Sequence, residues 1–212
     1  MTSTETADRF VREETERTAL GLVPEFDLNL ASEPISIFLG AEKLGAERPY
    51  WAFAWSGGQA LARWLLDNPD QVAGRSVLDV GSGSAISSIA ALKAGAREAV
   101  ANDTDPMACA AARLNATMNG VDLGISEDDL LASSPDADIV LIGDLFYEPD
   151  LVTRVGGFLE RASRRGATVL YADRSTARRP PVALELLGNY TAPLTPAMEI
   201  GYVEHARVWR LA

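Results

Sequence analysis

The feature that most constrains this chain is a short apolar segment, Val77 to Val80, that runs into a glycine-rich turn. The segment predicts a buried strand over 76–80, and the residues after the turn predict a helix over 84–94. Gly81 and Gly83 allow the backbone to approach a ligand closely, and the start of the helix offers free N–H groups. Asp103 ends a second apolar strand, predicted over 98–102, where an acid can accept both hydroxyls of a ribose. These residues predict a site for an adenosine-containing cofactor.

Strands and helices alternate through the rest of the chain, and this order is typical of a parallel sheet covered by helices on both faces. We predict helices over 4–19, 56–67, 106–119, 149–163 and, briefly, 181–187, with a loop-like segment over 20–50. Further strands are predicted over 122–126, 138–142, 167–172, 189–194 and 202–210, the last two as an antiparallel hairpin at the sheet edge. Ligands of such sheets bind at the carboxyl ends of the strands.

Composition narrows the range of partners. The 212 residues carry a formal net charge of −11, with one cysteine and one histidine. This charge disfavours a nucleic-acid partner and suits a basic, lysine-bearing one, and so few cysteine and histidine residues leave little material for a zinc site or a Ser-His-Asp triad. We expect a cytoplasmic monomer that holds no metal and contacts no membrane, because no apolar run is long enough to span one.

A second cluster of polar and aromatic residues follows the strand predicted over 138–142. Asp144, Phe146 and Tyr147 come directly after this strand, beside the predicted cofactor site. An acid there can orient an acceptor amine, and an aromatic ring can enclose the stem of a lysine and attract its charge. The alternative is that the aromatic residues are core and that Asp144 is the N-cap of the helix predicted over 149–163.

An aromatic segment, residues 50–55, precedes Gly57, Gly58 and the helix predicted over 56–67. Trp55 and Gly57 are candidates to close over the cofactor, through ring stacking and through backbone N–H groups. The alternative is an aromatic cluster that fastens the N-terminal segment to the domain, and we assign Trp51 and Phe53 to packing.

The glycine pattern bears on which cofactor is bound. A dinucleotide site needs glycine or alanine at the position that Ile86 occupies. The shorter pattern Asp79-x-Gly81-x-Gly83 is similar to the first motif of class I S-adenosylmethionine (SAM) methyltransferases. In that family Asp79 would contact the methionine part of SAM and Asp103 the ribose. Asp128 or Asp129, at the end of the third strand, is a candidate for the adenine amine, with a solvated loop acid as the equal alternative.

Longer segments resemble the seven-strand protein lysine methyltransferases, in particular the electron transfer flavoprotein β-subunit lysine methyltransferases and their bacterial relatives. The matching segments are Phe10 to Thr15, Pro49 to Arg63, Leu65 to Pro69, Ser76 to Gly83, Ala101 to Pro106, Gly143 to Glu148 and Val208 to Leu211.

This resemblance implies a Rossmann-like, seven-stranded, mostly parallel α/β sheet over 51–212, with a helical extension over 1–50 packed on it. It implies SAM as the donor and a lysine of the flavoprotein β-subunit as the acceptor. It assigns donor binding to Trp55, Gly57, Asp79, Gly81, Gly83 and Asp103, with Asp128 added from its strand position, and the acceptor side to Asp144, which also borders the donor, and Tyr147.

The chain departs from the family pattern at three places. Ser56 replaces a proline, Ala85 replaces a glycine, and Asp173 to Thr176 replaces an Asp-Pro-Gly-Arg run near the acceptor side. The last change keeps a methyltransferase of small molecules or of another protein, such as a ribosomal protein, as the alternative function. A binding module without activity and a nucleic-acid methyltransferase are further alternatives. The acidic Asp144-Leu145-Phe146-Tyr147 run argues against the latter.

Overall fold

The computed structural model describes residues 4–146, 149–174, 182–193 and 203–212. Within these ranges, no helix combines the length and the apolar composition that crossing a membrane requires. The helices are α1 (Thr4–Glu14), α2 (Pro34–Lys43), α3 (Ser56–Asp67), α4 (Ile86–Lys93), α5 (Pro106–Met118) and α6 (Pro149–Arg164). The strands are β1 (Thr15–Ala19), β2 (Asp27–Ala31), β3 (Ser76–Val80), β4 (Glu98–Asn102), β5 (Gly124–Ser126), β6 (Ile139–Gly143), β7 (Thr168–Arg174), β8 (Leu184–Pro193) and β9 (Val203–Leu211).

In the described part of the chain, seven strands form one sheet in the order β5-β4-β3-β6-β7-β9-β8. The first five are parallel, and β9 and β8 are antiparallel to their neighbours. The chain order reverses between β3 and β6, which is the point where doubly wound sheets open a crevice for a ligand. The predicted fold, a mostly parallel seven-stranded sheet with an antiparallel C-terminal hairpin, is confirmed.

Alternate residues of the central strands build two cores, one on each face of the sheet. Val77, Leu141 and Leu170 face α3 and α4, where they join Leu61 and Ile89. On the other face, the side chains from β3, β6 and β7 join those of α6; the set comprises Leu78, Val140, Ile142, Val155, Phe158, Leu159 and Val169. Because both faces are covered by helices, the central residues of these strands are mostly apolar, as those of parallel strands usually are, and the polar residues stand at or near the strand ends.

The N-terminal segment contains an antiparallel strand pair that the sequence prediction missed. The helix predicted over 4–19 ends at Glu14, and β1 continues from it and pairs with β2. The prediction was wrong there because the charged Glu16 and Arg17 continue the amphipathic pattern, whereas the β-branched Thr15 and Thr18 suit a strand once a partner strand is available. The segment expected to be loop-like also contains α2, which Pro34 begins rather than breaks.

The prediction of a short helix near 181–187 was also wrong over 182–187; residue 181 lies outside the described residues. From Leu184 onward the chain is strand β8, which pairs along its length with β9 and has a bulge between Leu186 and Gly188. Leucine and glutamate favour a helix locally, but pairing with β9 satisfies the backbone of this segment at the sheet edge.

Asn115 connects the N-terminal strand pair to the glycine-rich turn through the interior. Its side chain is fully buried on α5. The side-chain oxygen accepts hydrogen bonds from the backbone N–H of Asn29 at 2.7 Å and from the Asn29 side chain at 3.0 Å, and its amide donates to the carbonyl of Ser84 at 3.0 Å. This residue therefore satisfies polar groups from two separate parts of the chain.

We expect Asn115→Leu to lower the free energy of unfolding by about 2–4 kcal/mol, because it leaves the Asn29 N–H and the Ser84 carbonyl buried without a partner. Urea denaturation followed by circular dichroism measures this. The exposed Asn189→Leu on β8 is the matched control and should change stability by less than about 0.5 kcal/mol. Equal stability of the two variants would contradict the connecting role.

Candidate functional site

A cavity of about 910 Å³ opens at the carboxyl ends of the parallel strands, where the chain order reverses. Its volume lies in the range of small-molecule and cofactor sites. Among the described lining residues the carboxylates lie mostly at or just after the carboxyl ends of the parallel strands, and they are Glu47, Asp79, Asp103, Asp105, Asp129, Asp144 and Asp173. The structure thus brings most of the predicted site residues to one place.

The turn after β3 owes its shape to residues with positive φ. Gly81, Gly83 and Ala85 have φ values of 66°, 51° and 62°. A side chain on Gly81 would meet the methyl end of Leu145 at 2.7 Å, which can move, so the positive φ is the main reason for glycine there. Ala85, which replaces a family glycine, precedes α4 in a left-handed conformation that costs an L-residue about 1–2 kcal/mol. The alanine therefore keeps the family turn at some cost in stability.

Asp79 lies under this turn and binds the first turn of α4. Its side chain is 2% exposed, and one oxygen accepts from the backbone N–H of Ser88 at 3.1 Å and from the Ser88 hydroxyl at 2.7 Å. Burial raises the pKa of Asp79 to about 6, although the two bonds from Ser88 oppose the shift. Sequence analysis missed Ser88, whose signal was its position nine residues after Asp79, on the helix that the turn starts.

Asp103 closes the other side of the turn. One of its oxygens accepts from the backbone N–H of Gly83 at 3.0 Å and the other from that of Asp105 at 3.1 Å. Burial raises the pKa of Asp103, and the charge of Glu47 adds to the effect against the backbone hydrogen bonds. A carboxylate has about four acceptor positions, so Asp103 retains capacity to accept from a ligand in the cavity.

Asp144 caps the start of α3. The N-cap residue of this helix is Trp55, whose side chain makes no capping bond, and Asp144 instead accepts from the backbone N–H of Gly58 at 2.9 Å. A side chain on Gly57 would lie 2.6 Å from both Asp144 oxygens, so the missing Cβ makes room for the carboxylate. From the sequence, the alternative role of Asp144 was the N-cap of the helix after β6. In the structure it caps α3 instead, which is distant in sequence. The first N–H groups of α3 therefore face a protein carboxylate.

Burial, backbone hydrogen bonds and one neighbouring charge set the pKa of Asp144. Burial raises its pKa to about 6, hydrogen bonds from Gly58 and Gly57 oppose the shift, and the charge of Glu204 adds to it. Glu204, on β9, accepts a 2.8 Å hydrogen bond from the hydroxyl of Ser56. The family proline that Ser56 replaces could not donate this bond. No local pattern in the sequence pointed to Glu204, because β9 reaches the site only through sheet pairing.

The aromatic segment, residues 50–55, packs on the core and also forms part of the cavity wall. Trp51 and Phe53 are buried in a cluster with α1, α2 and α5. Trp55 is half-buried, donates from Nε1 to the carbonyl of Tyr50 at 2.9 Å, and contacts the rings of Tyr50 and Phe53. All four rings also line the cavity, so these residues serve both packing and the cavity wall.

The structure separates the two acids after β5. Asp129 lines the cavity and forms an ion pair with Arg154 of α6 at 2.5 Å. Asp128 is exposed, accepts from the hydroxyl of Ser126 at 3.2 Å, and is outside the cavity lining. The geometry therefore favours Asp129 over Asp128 as the acid that faces a ligand. Sequence analysis missed Arg154 because its acidic partner is 25 residues away in the chain.

The acceptor side is described in part. Phe146 lines the cavity but is buried, with its ring edge-to-face against Tyr171 at 4.9 Å. Tyr147 lies outside the described residues, as do Ser175 and Thr176 of the altered run. Asp173 and Arg174 of that run line the cavity, and the Tyr171 hydroxyl donates to Asp173.

We expect acid to stabilise the protein through Asp79. The carboxyl has an ordinary pKa of 3.8 in the unfolded chain and about 6 in the fold, so the native state binds the proton more tightly and gains stability as the pH falls through this interval. From pH 7 to 4.5, the wild type should gain about 2 kcal/mol in free energy of unfolding relative to Asp79→Asn. Urea denaturation at both pH values measures this. The exposed Asp122→Asn variant should show the same change in free energy of unfolding between the two pH values as the wild type. The same change in Asp79→Asn would contradict the prediction.

Gly57→Ala should destabilise the protein although alanine is the better helix former. The new Cβ displaces the Asp144 carboxylate and uncaps α3, which we expect to cost about 1–3 kcal/mol. Gly157→Ala in α6 is the control, since its Cβ meets a single atom, Arg161 Nη1, at 3.3 Å, and it should change stability by less than about 1 kcal/mol. Thermal unfolding of both variants measures the contrast, and a gain for both would rule out the proposed crowding.

Comparison with known proteins gives consistent matches. The family model for ribosomal protein L11 methyltransferase (PrmA) matches residues 61–143. The electron transfer flavoprotein β-subunit lysine methyltransferase of Rattus norvegicus is 35% identical to this chain, and the alignment covers 94% of this chain and 82% of the rat protein. The protein of the same name from Homo sapiens is 42% identical over 72% of this chain and 60% of its own length.

Solved structures agree in fold. The 16S rRNA N2 G1207 methyltransferase of T. thermophilus, in complex with AdoMet and guanosine, has a TM-score of 0.59 at 14% identity, over 93% of this chain and 49% of its own. TrmN from Thermus thermophilus has a TM-score of 0.51 at 22% identity, over 71% of this chain and 48% of its own. With the glycine-rich turn and the acids around the cavity, the identity to the rat protein over most of both chains leads to one conclusion. The chain belongs to the electron transfer flavoprotein β-subunit lysine methyltransferase family and is a SAM-dependent methyltransferase.

Proposed function

We propose that this enzyme transfers methyl groups from SAM to a lysine side chain of an electron transfer flavoprotein β-subunit, with Asp144 at the acceptor position. The name of the rat relative supports this acceptor, since the two chains align over most of their lengths. The observation that carries the proposal is the arrangement of Asp79, Asp103 and Asp144 at neighbouring strand ends around one cavity.

The residues present fit SAM. The positive φ values of Gly81 and Gly83 bring the backbone of the turn close to the cavity without side chains. Asp103 keeps acceptor capacity for ribose hydroxyls, and Asp79 supplies negative charge at the end where the ammonium of the methionine part would bind. Trp55 would cover the cofactor, and Asp129 is the acid best placed for the adenine amine.

SAM supplies an electrophilic methyl carbon attached to a positively charged sulfur. The protein has to align the lone pair of the acceptor nitrogen with the carbon–sulfur bond and to exclude water. Asp144 suits this task because both its side chain and its backbone are fixed. Its carboxylate accepts from the N–H of Gly58 in α3, and its own backbone N–H donates to the carbonyl of Ala172 at 3.0 Å. A carboxylate fixed in this way can accept a hydrogen bond from an amine in one defined direction.

The charge state of Asp144 also matters. A lysine arrives as an ammonium group and must lose a proton before its nitrogen can attack. With a pKa of about 6, Asp144 is mostly ionised near neutral pH and can accept hydrogen bonds from the lysine nitrogen in both protonation states. The surrounding carboxylates favour binding of two cationic substrates, the donor and the lysine.

The test is mass spectrometry of recombinant flavoprotein β-subunit after incubation with the enzyme and SAM. The wild type should add whole methyl units to a lysine-containing peptide. Asp144→Ala should lower kcat by about 100-fold or more, because the lysine nitrogen loses its orienting acceptor, while the Kd for SAM measured by calorimetry stays close to that of the wild type.

Asp136→Ala is the matched control, since it removes the same charge from an exposed loop at the opposite end of β6, and it should keep the wild-type kcat. Absence of methylation by the wild type, with SAM binding intact, would refute the flavoprotein as acceptor. Full kcat in Asp144→Ala would refute the role of Asp144.

A further inference from the structure

We propose that the exposed apolar face of α2, formed by Ile35, Phe38 and Leu39, is the docking surface for the acceptor protein and binds an apolar side chain next to the target lysine. This inference rests on the proposed function, because it assigns a partner to the same site. The three residues are called the α2 apolar face below.

Helix α2 is apolar on two opposite faces, and only one face is covered. Ile37 and Ala41 are buried against the body of the protein, and Gly40 lets the ring of Phe10 pack closely on the same helix. Ile35, Phe38 and Leu39 have the i, i+3, i+4 spacing of a second face, and they are 70%, 38% and 50% exposed. A helix with apolar residues all round is normally buried on all sides, so the second face is suited to a partner.

Exposed large apolar side chains are concentrated at this helix. Within residues 4–146, 149–174, 182–193 and 203–212 there are five such side chains, and four of them, Ile35, Phe38, Leu39 and Leu44, lie on α2 or directly after it. The fifth is Leu186 on the edge strand β8. Single exposed leucines need no explanation, whereas a contiguous group marks an interaction surface.

The α2 apolar face leads directly to the cavity. The ring of Phe38 stacks on that of Phe53 with centroids 6.1 Å apart, and Phe53 contacts Trp55 at 5.9 Å. Phe53 and Trp55 both line the cavity. An acceptor segment that places one side chain on α2 could therefore present a neighbouring lysine to the cavity mouth along a continuous row of rings.

The charges around this face complement a lysine-bearing protein. Exposed carboxylates stand at both ends of α2, Glu33 before its first residue and Glu42 one turn after Leu39, and Glu47 follows in the cavity lining. The exposed cations Lys43 and Arg48 offset part of this charge, and the rim stays net acidic. An apolar centre with an acidic rim fits a partner that has an apolar side chain among basic ones. A second copy of this chain fits less well, because a two-fold contact would set the same acidic rims against each other.

The experiment compares steady-state kinetics on intact flavoprotein β-subunit. Leu39→Ser and Ile35→Ser should each raise KM for the protein acceptor by about tenfold, which corresponds to loss of a well-packed apolar contact. At saturating acceptor, kcat should equal that of the wild type, and so should the Kd for SAM, since neither residue lines the cavity. Leu39→Met, which keeps the apolar contact, should restore KM to within about twofold of the wild type.

Leu186→Ser is the matched control, because Leu186 is 47% exposed and lies outside the cavity lining; its KM should not change. An unchanged KM in both α2 variants, with the wild type active, would overturn the docking surface alone. Light scattering that shows a wild-type dimer dissociated by Leu39→Ser would instead assign the face to a second copy and also overturn the proposal. A wild type that methylates no flavoprotein lysine would refute the proposed function, and the docking surface would fall with it.

Discussion

The site depends on the hydrogen bond between the Asp144 carboxylate and the start of α3. This helix begins at Ser56 after a tryptophan whose side chain makes no capping bond, and its first residues are buried, so their N–H groups need a partner from the protein. Asp144 reaches them from the end of β6 because Gly57 has no side chain. One contact therefore completes a helix, fixes the distance between α3 and the sheet, and holds a carboxylate in a single orientation beside the cavity. The same hydrogen bond therefore supports both the role expected of Asp144 in methyl transfer and the stability of the fold.

The cavity concentrates carboxylates in a place where they are partly removed from water. Asp79 and Asp144 both have a pKa raised to about 6 by burial, and Asp103 is shifted in the same direction. Negative charges that lack full hydration reduce stability, and cations bound among them recover part of the loss. A donor that carries a sulfonium and an ammonium group, and an acceptor that carries a lysine, match such a cavity. The net charge of the whole chain is also negative, so its overall field attracts a basic partner as well.

Local sequence patterns predicted the central elements well and the contacts between them poorly. Strands β3 and β4 and helix α3 have the predicted bounds, because glycine, proline and apolar runs delimit them in the chain itself. Gly81, Gly83 and Asp103 meet at the cavity as the strand order required. The cap on α3, the ion pair of Asp129 with Arg154 and the approach of Glu204 join residues far apart in sequence, and no periodicity encodes such pairings. Strand β1 was missed for the same reason, since the partner that turns Thr15 to Ala19 into a strand begins at Asp27.

Through Asn115, the N-terminal segment is linked to the glycine-rich turn of the donor site. The Asn115 side chain holds the backbone of β2 with one atom and the carbonyl of Ser84, in the glycine-rich turn, with another. Separation of the N-terminal segment from α5 would therefore leave the side-chain oxygen of Asn115 without its Asn29 partner and would loosen the turn at the donor site. These hydrogen bonds cross the boundary predicted near residue 50, so we expect occupancy of the cavity to change hydrogen exchange at the amides of β1 and β2, although neither strand lines it.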